Sequence, residues 1–497
     1  MLNYLRCKDY LLIASILFIA LLIRLLGIES ESLWIDEIHT AIDSTVDAKN
    51  LWFHAYTNKP PLFYQLISLF WQVGDGEFFV RLPSVIAGAL CIVVVWFYGR
   101  QFFSRESLLY LLILISISPL FVKYSQEARQ YIFVVLGYIF LSFQCLRIIE
   151  KLRMDSLKHH DIALLIIPSA LMIQIHLTSF IYIFTALMVL TFIVLKFYPT
   201  KKTYITYFFL YSLIPLFSIG IWLFPLSQKV AHGGETMHIL PHSLIPSFIC
   251  YIKATFVNWI IAIMALIGFY REYRMKNKIT AISCILFTLI PFLLVYLIGL
   301  IKPILAGRIF LPGHFFCLIG LVFLIQNSSN KIEKNLVIFL ICLVFLQKNI
   351  TFFSESEKTD WRGAINEINL NFQPNDIIVS SRFDNLKPFY FYSFAKIPYT
   401  YLLIKKNGKL RGGFVGANDA WKSRCFEKNL CEAFLLSRIP QDSKRVWNLR
   451  TEKTENRSKS NKIGQAVSEF LKMECSLAKS EKFEGLVLNL YDCNQEK

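Results

Sequence analysis

The chain has 497 residues, 55 % of them apolar and only 18 % charged, with 44 phenylalanines and a formal net charge of +17. Soluble domains carry about a quarter charged residues, so this composition excludes an ordinary water-soluble enzyme. Much of the basic excess sits in short loops between apolar runs, where it reports membrane orientation and excludes nucleic acid as the expected partner.

A run of about 18 or more apolar residues crosses a bilayer core about 30 Å thick. Residues 10–28 (YLLIASILFIALLIRLLGI) follow a basic start, Arg6 and Lys8, and lack a small-residue cleavage site. They read as a first span rather than a removed signal peptide. The first outer loop, 29–80, opens with the acidic stretch ESESLWIDEIHTAIDSTVD. Within it, 61–73 (PLFYQLISLFWQV) is apolar but too short to cross, and is expected to lie along the membrane surface as an interfacial helix.

Further spans are expected at 82–98, 107–121, 131–147, 161–176, 178–195, 204–225, 245–269, 279–300, 309–325 and 335–347. With an inside N-terminus, the inner segments hold about 17 lysines and arginines and the short outer loops about seven. The fold class expected is therefore a multi-pass α-helical membrane protein with about eleven spans in 1–347, followed by a small α/β extracytoplasmic domain in 348–497. In that domain NDIIVSSR (375–382), FVGAND (414–419) and GLVLNLYDC (485–493) read as strands and RGAINEINLNF (362–372) as a helix. The polar run 441–464 reads as a flexible loop. Four cysteines lie there. Cys475 and Cys493 bracket a hairpin-like run and are the expected disulfide pair, with Cys425 and Cys431 the other.

Ionisable residues gather at the expected outer face, where desolvation is costly unless they are used or paired. Trp34-Ile35-Asp36-Glu37 follows span one and reads either as a reactive carboxylate pair or as a solvated helix start. Asn58-Lys59-Pro60-Pro61 holds a lysine in a fixed backbone, for a ligand or for anionic headgroups. Tyr124-Ser125-Gln126-Glu127-Ala128-Arg129-Gln130-Tyr131 follows Ser118-Pro119; if it begins a helix, Glu127 stacks with Tyr131 and Ser125 with Arg129. Lys302-Pro303 and Gly307-Arg308 stand before a late span, with a snorkelling arginine the plainer reading. His176 is a weaker candidate, and Arg24 inside span one reads as snorkelling or paired.

The ordered set Trp34…Asp36-Glu37, Lys59-Pro60-Pro61-Leu62-Phe63-Tyr64, Arg81-Leu82-Pro83-Ser84, Ser118-Pro119…Tyr124-Ser125-Gln126-Glu127-Ala128-Arg129…Tyr131 and Gly307-Arg308…Leu311-Pro312 resembles the GT-C glycosyltransferases of family 39. That family includes the protein O-mannosyltransferases and relatives of the lipid A aminoarabinose transferase. Asp360-Trp361-Arg362-Gly363-Ala364 is similar to a segment of many bacterial members. The resemblance implies a GT-C fold and a polyprenyl-phosphate sugar donor bound from the membrane. It implies inverting transfer to a lipid (lipopolysaccharide included), polysaccharide or protein acceptor on the outer, periplasmic face of the cytoplasmic membrane. It makes Asp36 the catalytic base with Glu37 its helper, and Lys59, Arg308 and Arg129 the groups that bind the donor phosphate. Glu127, Tyr131, His176 and Trp34 are candidates for substrate binding. The aminoarabinose-type pattern has Glu before the lysine, where this chain has Asn58, and no HExxH or clustered Cys/His pattern occurs; no essential metal or other cofactor is expected. The alternatives are a ligase using a diphosphate-linked glycan, and a lipid or sugar transporter without covalent chemistry.

Overall fold

The computed structural model describes residues 7–53, 60–74, 76–217, 244–275, 277–301, 306–355, 358–374, 376–380, 386–392, 399–404, 410–415, 423–425, 445–451, 468, 471–473 and 475–493. The chain forms two compact units: Met1–Ile28 with Asp43–Glu355, and Glu29–Ile42 with Ser356–Lys497. The start of the first outer loop is thus part of the second unit.

The first unit is helical. Among the described residues, six helices are long and apolar enough to cross a membrane: Glu77–Gly99, Tyr131–Arg153, Ser179–Phe197, Lys278–Leu300, Gly307–Gln326 and Lys331–Ser354. Two bent pairs, each counted as one span, raise this to eight. Most of Gly307–Gln326 is buried, which puts it at the centre of the bundle, whereas Lys331–Ser354 is mostly uncovered. Side chains such as Ile263, Leu266, Leu297 and Leu343 are exposed, as helix faces turned to lipid require. The helix Leu62–Trp71 spans only about 15 Å at 1.5 Å per residue, too short to cross.

Two of the expected continuous spans are broken. The run 107–121 is a helix Arg105–Ile117 and a second, Pro119–Ser125, set at 51°. Pro119 has no N–H to continue the ladder and disfavours helical backbone at Ser118, whose φ/ψ is extended. The run 245–269 is Leu244–Phe256 and Trp259–Met275, bent by 74°. Val257 takes φ +68° at the break, a costly conformation for a β-branched residue. The Asn258 carboxamide then accepts from Ile261 N at 3.0 Å and caps the second half. The last long helix continues to Ser354, beyond the expected end at 347.

The second unit carries a seven-stranded sheet: β1 (Ile377–Ser380), β2 (Tyr399–Ile404), β3 (Leu410–Val415), β4 (Ser423–Cys425), β5 (Arg445–Thr451), β6 (Ser476–Phe483) and β7 (Leu486–Asp492). The order is β4-β3-β2-β1-β5-β7-β6, with β1 parallel to β2 and β5 and the other pairs antiparallel. Strand β5 corrects the reading of 441–464 as a loop. Val446, Trp447 and Leu449 in its RVWNLRT are buried, and pairing on both sides outweighs the polar flanks. A helix Trp361–Asn371 buries Trp361, Ala364, Ile365 and Ile368. Ile377, Val379, Val446, Leu471 and Tyr491 form a small core against which Cys475 and Cys493 pack, joined as a disulfide. Cys431 lies outside the described residues.

Candidate active site

The broken span sets up the first half of the site. A helix that stops at Ile117 leaves its last carbonyls without intrahelical partners, and buried side chains from elsewhere take them. Arg24 is fully buried and donates from Nη2 to Ile115 O and from Nη1 to Ser116 O, both at 3.1 Å. Its Nε donates to Ser125 Oγ at 3.2 Å. Asn349 Nδ2 donates to Ile117 O at 2.8 Å. Arg24 is therefore paired, not snorkelling. Gly88 makes room for this crossing, since a Cβ there would stand 2.1 Å from Ser125 Oγ and 3.0 Å from Arg24 Nε.

The segment after the break is not a helix. Residues 126–130 form bends and a turn between Pro119–Ser125 and Tyr131–Arg153, so Glu127 and Tyr131 do not stack as i and i+4. Gln126 Nε2 instead reaches Arg24 O at 2.9 Å and Leu26 O at 2.7 Å, closing the end of the first helix, Cys7–Leu25. Arg81, buried in the helix Glu77–Gly99, donates to the neighbouring Ile28 O. Gln126 and Arg81 thus hold backbone.

On this scaffold two cations from distant parts of the chain meet one ring. The Arg308 guanidinium lies 5.1 Å from the Tyr131 ring centroid and that of Arg129 lies 5.7 Å from it, both within cation–π range. Tyr124 packs edge-on to Tyr131 at 5.9 Å and shares its electrostatic surroundings with Glu127 and Arg308. His176 stands 6.0 Å from Tyr131. Thr178 N donates to His176 Nδ1 at 3.1 Å, so that nitrogen carries no proton and the neutral ring is the Nε2–H tautomer. Arg308 sits in a short 3₁₀ segment, Gly307–Gly313, whose Ile309 carbonyl accepts from the buried Tyr182 hydroxyl.

His314, which sequence reasoning passed over, ties the two breaks together. It is fully buried, with Nε2 2.6 Å from Ser118 Oγ and Nδ1 2.6 Å from Thr255 O. A carbonyl only accepts, so Nδ1 carries the proton and Ser118 donates to Nε2. A single histidine inside an apolar run, after Pro312-Gly313, was the available signal.

Trp34, Asp36 and Glu37 belong to the second unit, at the start of a helix Ile35–Asp43. Asp36 is half-buried and Glu37 fully buried. Glu37 Oε2 accepts from Trp34 N at 3.3 Å, closing its own helix start, and from Lys358 Nζ at 3.1 Å. Lys358 is a second residue that sequence reasoning missed; its only sequence signal is its place two residues before Asp360-Trp361-Arg362-Gly363. Lys59 lies outside the described residues. So of the nine expected site residues, Glu127, Arg129, Tyr131, His176 and Arg308 come together in the first unit, and Trp34, Asp36 and Glu37 in the second. Among the described residues no group of three or more His, Cys, Asp or Glu could hold a metal ion.

Two guanidinium groups thus stand on one aromatic ring beside the break of a span. Residues 58–222 match the family model for dolichyl-phosphate-mannose-protein mannosyltransferase. The fold is also similar to that of solved membrane proteins. ArnT from Cupriavidus metallidurans in the apo state superimposes with a TM-score of 0.58 at 10 % identity, covering 96 % of this chain and 97 % of that one. The same protein bound to undecaprenyl phosphate also gives 0.58 at 10 % identity, with 98 % of each chain covered. The archaeal oligosaccharyltransferase AglB from Archaeoglobus fulgidus, in complex with an inhibitory peptide and a dolichol-phosphate, gives 0.53 at 12 % identity over 89 % of this chain and 69 % of that one. No curated protein matches the chain in sequence.

Proposed function

We propose that this GT-C-like membrane protein is an inverting glycosyltransferase that moves one sugar from a polyprenyl-phosphate carrier to a lipid, polysaccharide or protein acceptor. The reaction takes place on the outer face of the cytoplasmic membrane, with the N-terminus inside, about eleven spans and the C-terminal domain outside. The observation that carries the reading is the convergence of Arg129 and Arg308, 179 positions apart in sequence, on Tyr131. Two fixed guanidinium groups match the charge and fork geometry of a phosphate. The undecaprenyl phosphate bound to ArnT and the dolichol-phosphate bound to AglB support the same donor class.

In the proposed step the acceptor hydroxyl oxygen attacks the anomeric carbon while the bond from that carbon to the phosphate oxygen breaks. The bonding pair leaves with polyprenyl phosphate, whose growing negative charge Arg129, Arg308 and Lys59 stabilise. Asp36 takes the hydroxyl proton. Glu127, His176 and Tyr131 contribute polar contacts to the sugar–phosphate, and Trp34 an aromatic face.

The test is transfer from a labelled polyprenyl-phosphate sugar by the purified protein in lipid nanodiscs, with donor binding measured separately. General-base catalysis is worth about 10²–10⁴-fold, so Asp36→Asn should lose that much turnover and keep donor binding. Arg308→Ala should weaken binding as well, by about ten- to a hundredfold for a charge-assisted hydrogen bond of about 1.5–3 kcal/mol. A correctly inserted Asp36→Asn protein with wild-type turnover would overturn the mechanism.

A further inference from the structure

Residues 29–33 have no regular secondary structure, so their backbone groups need partners from elsewhere. Those partners come from a strap more than 300 positions later in the chain. Arg362 donates from Nη1 to Glu29 O and from Nη2 to Ser30 O, both at 3.0 Å. Ser32 Oγ donates to Thr359 O at 2.7 Å and accepts from Trp361 N at 3.1 Å. Lys358 N donates to Glu31 Oε1 at 3.1 Å, and Leu33 N to the Tyr392 hydroxyl at 2.7 Å.

The strap is itself anchored. Asp360 N donates to Glu484 O at 2.9 Å, in the β6–β7 turn. Asp360 Oδ1 caps the helix Trp361–Asn371 by accepting from Gly363 N at 2.9 Å. A Cβ at 363 would come within 2.2 Å of that carboxylate and push it off the cap. Each of Asp360, Trp361, Arg362 and Gly363 is thereby accounted for. Trp361 fills the domain interior, Asp360 and Gly363 make the cap, and Arg362 holds the earlier segment.

We propose that the C-terminal domain is a clamp on the acidic segment, with Lys358 the positioning residue for the helix that bears Asp36. The proposal rests on the reading of Asp36 as the base. The Glu37 carboxylate is wholly buried and the Lys358 ammonium nearly so. A buried carboxylate holds its place only while paired. Since Glu37 also closes the first turn of the helix through Trp34 N, the Lys358–Glu37 pair holds the turn of backbone from which Asp36 projects.

The experiment uses the full-length protein in nanodiscs and two readouts, hydrogen–deuterium exchange of residues 29–42 and steady-state transfer kinetics. Lys358→Met should raise exchange in 29–42 and lower kcat by about a hundredfold, the cost of about 1 Å of misplacement, with donor KM unchanged. Lys358→Arg keeps the charge and should retain most of both properties. If Lys358→Met does not fold, Tyr392→Phe, which removes only the hydroxyl that Leu33 N donates to, should show the same pattern more weakly. Wild-type exchange and kcat in either folded variant would overturn the clamp. Exchange needs no substrate, so it judges the clamp even if Asp36→Asn proves fully active and the functional reading falls. A dead Asp36→Asn beside a normal Lys358→Met and Tyr392→Phe would sink the clamp alone.

Discussion

Removing the Arg24 side chain tests the argument that the broken span depends on it. In Arg24→Met the carbonyls of Ile115 and Ser116 lose donors at 3.1 Å in a fully buried setting. Each unsatisfied buried acceptor costs about 1–3 kcal/mol, so a loss of about 2–6 kcal/mol is expected. The Ile115 carbonyl lacks a helical donor because the residue four places on is Pro119. Pro119→Ala restores that N–H, and in the Arg24→Met background it should recover about 1 kcal/mol, the net worth of one hydrogen bond. In the wild-type background, where Arg24 already occupies the carbonyl, it should recover nothing. Unfolding of the four proteins in detergent, followed by thiol labelling of buried Cys91 and Cys145, closes the cycle. Additivity within about 0.5 kcal/mol would refute the claim that Arg24 and Pro119 share one acceptor.

His314→Ala should strip Ser118 and the Thr255 carbonyl of their shared partner, at about 2–5 kcal/mol. The melting temperature in detergent should drop accordingly, and an unchanged value would show that the two breaks are held otherwise. Cys475→Ser opens a loop of sequence separation 18 and should cost the C-terminal domain about 3 kcal/mol, read by denaturant unfolding with and without reductant. For topology, a reporter active only outside the cytoplasm should work when fused after residue 400 and stay silent near Lys276. The reverse pattern would overturn the proposed orientation.

Much of the membrane unit was legible because crossing a bilayer is a local requirement on length and apolarity. Runs such as 82–98, 131–147 and 178–195 satisfy it by composition alone, and the long helices Glu77–Gly99, Tyr131–Arg153 and Ser179–Phe197 contain all of them but Thr178. The hairpin between Cys475 and Cys493 was legible for a similar reason, since two alternating runs separated by Glu484-Gly485 specify a turn, and Gly485 adopts φ +72° there. Breaks were less so. Pro119 was the signal for one, although 107–121 was expected to be continuous, and nothing around Val257 distinguishes its run from an unbroken span, because the backbone there is set by packing and not by propensity.

Which polar residue does what was a different kind of question. Within Tyr124–Tyr131 the sequence reading singles out Glu127, Arg129 and Tyr131 and gives Gln126 no role. Only the fold sends Gln126 back to the end of the first helix and brings Arg129 to the same ring as Arg308. Composition and apolar run length by themselves settled the class of this protein, since each span answers to the bilayer independently of its neighbours. The meeting of Arg129 and Arg308, 179 positions apart, on the Tyr131 ring, and the pairing of Glu37 with Lys358 across 321, were decided by tertiary structure. A buried charge takes whichever partner the chain's path brings within about 4 Å, and no local pattern encodes that path.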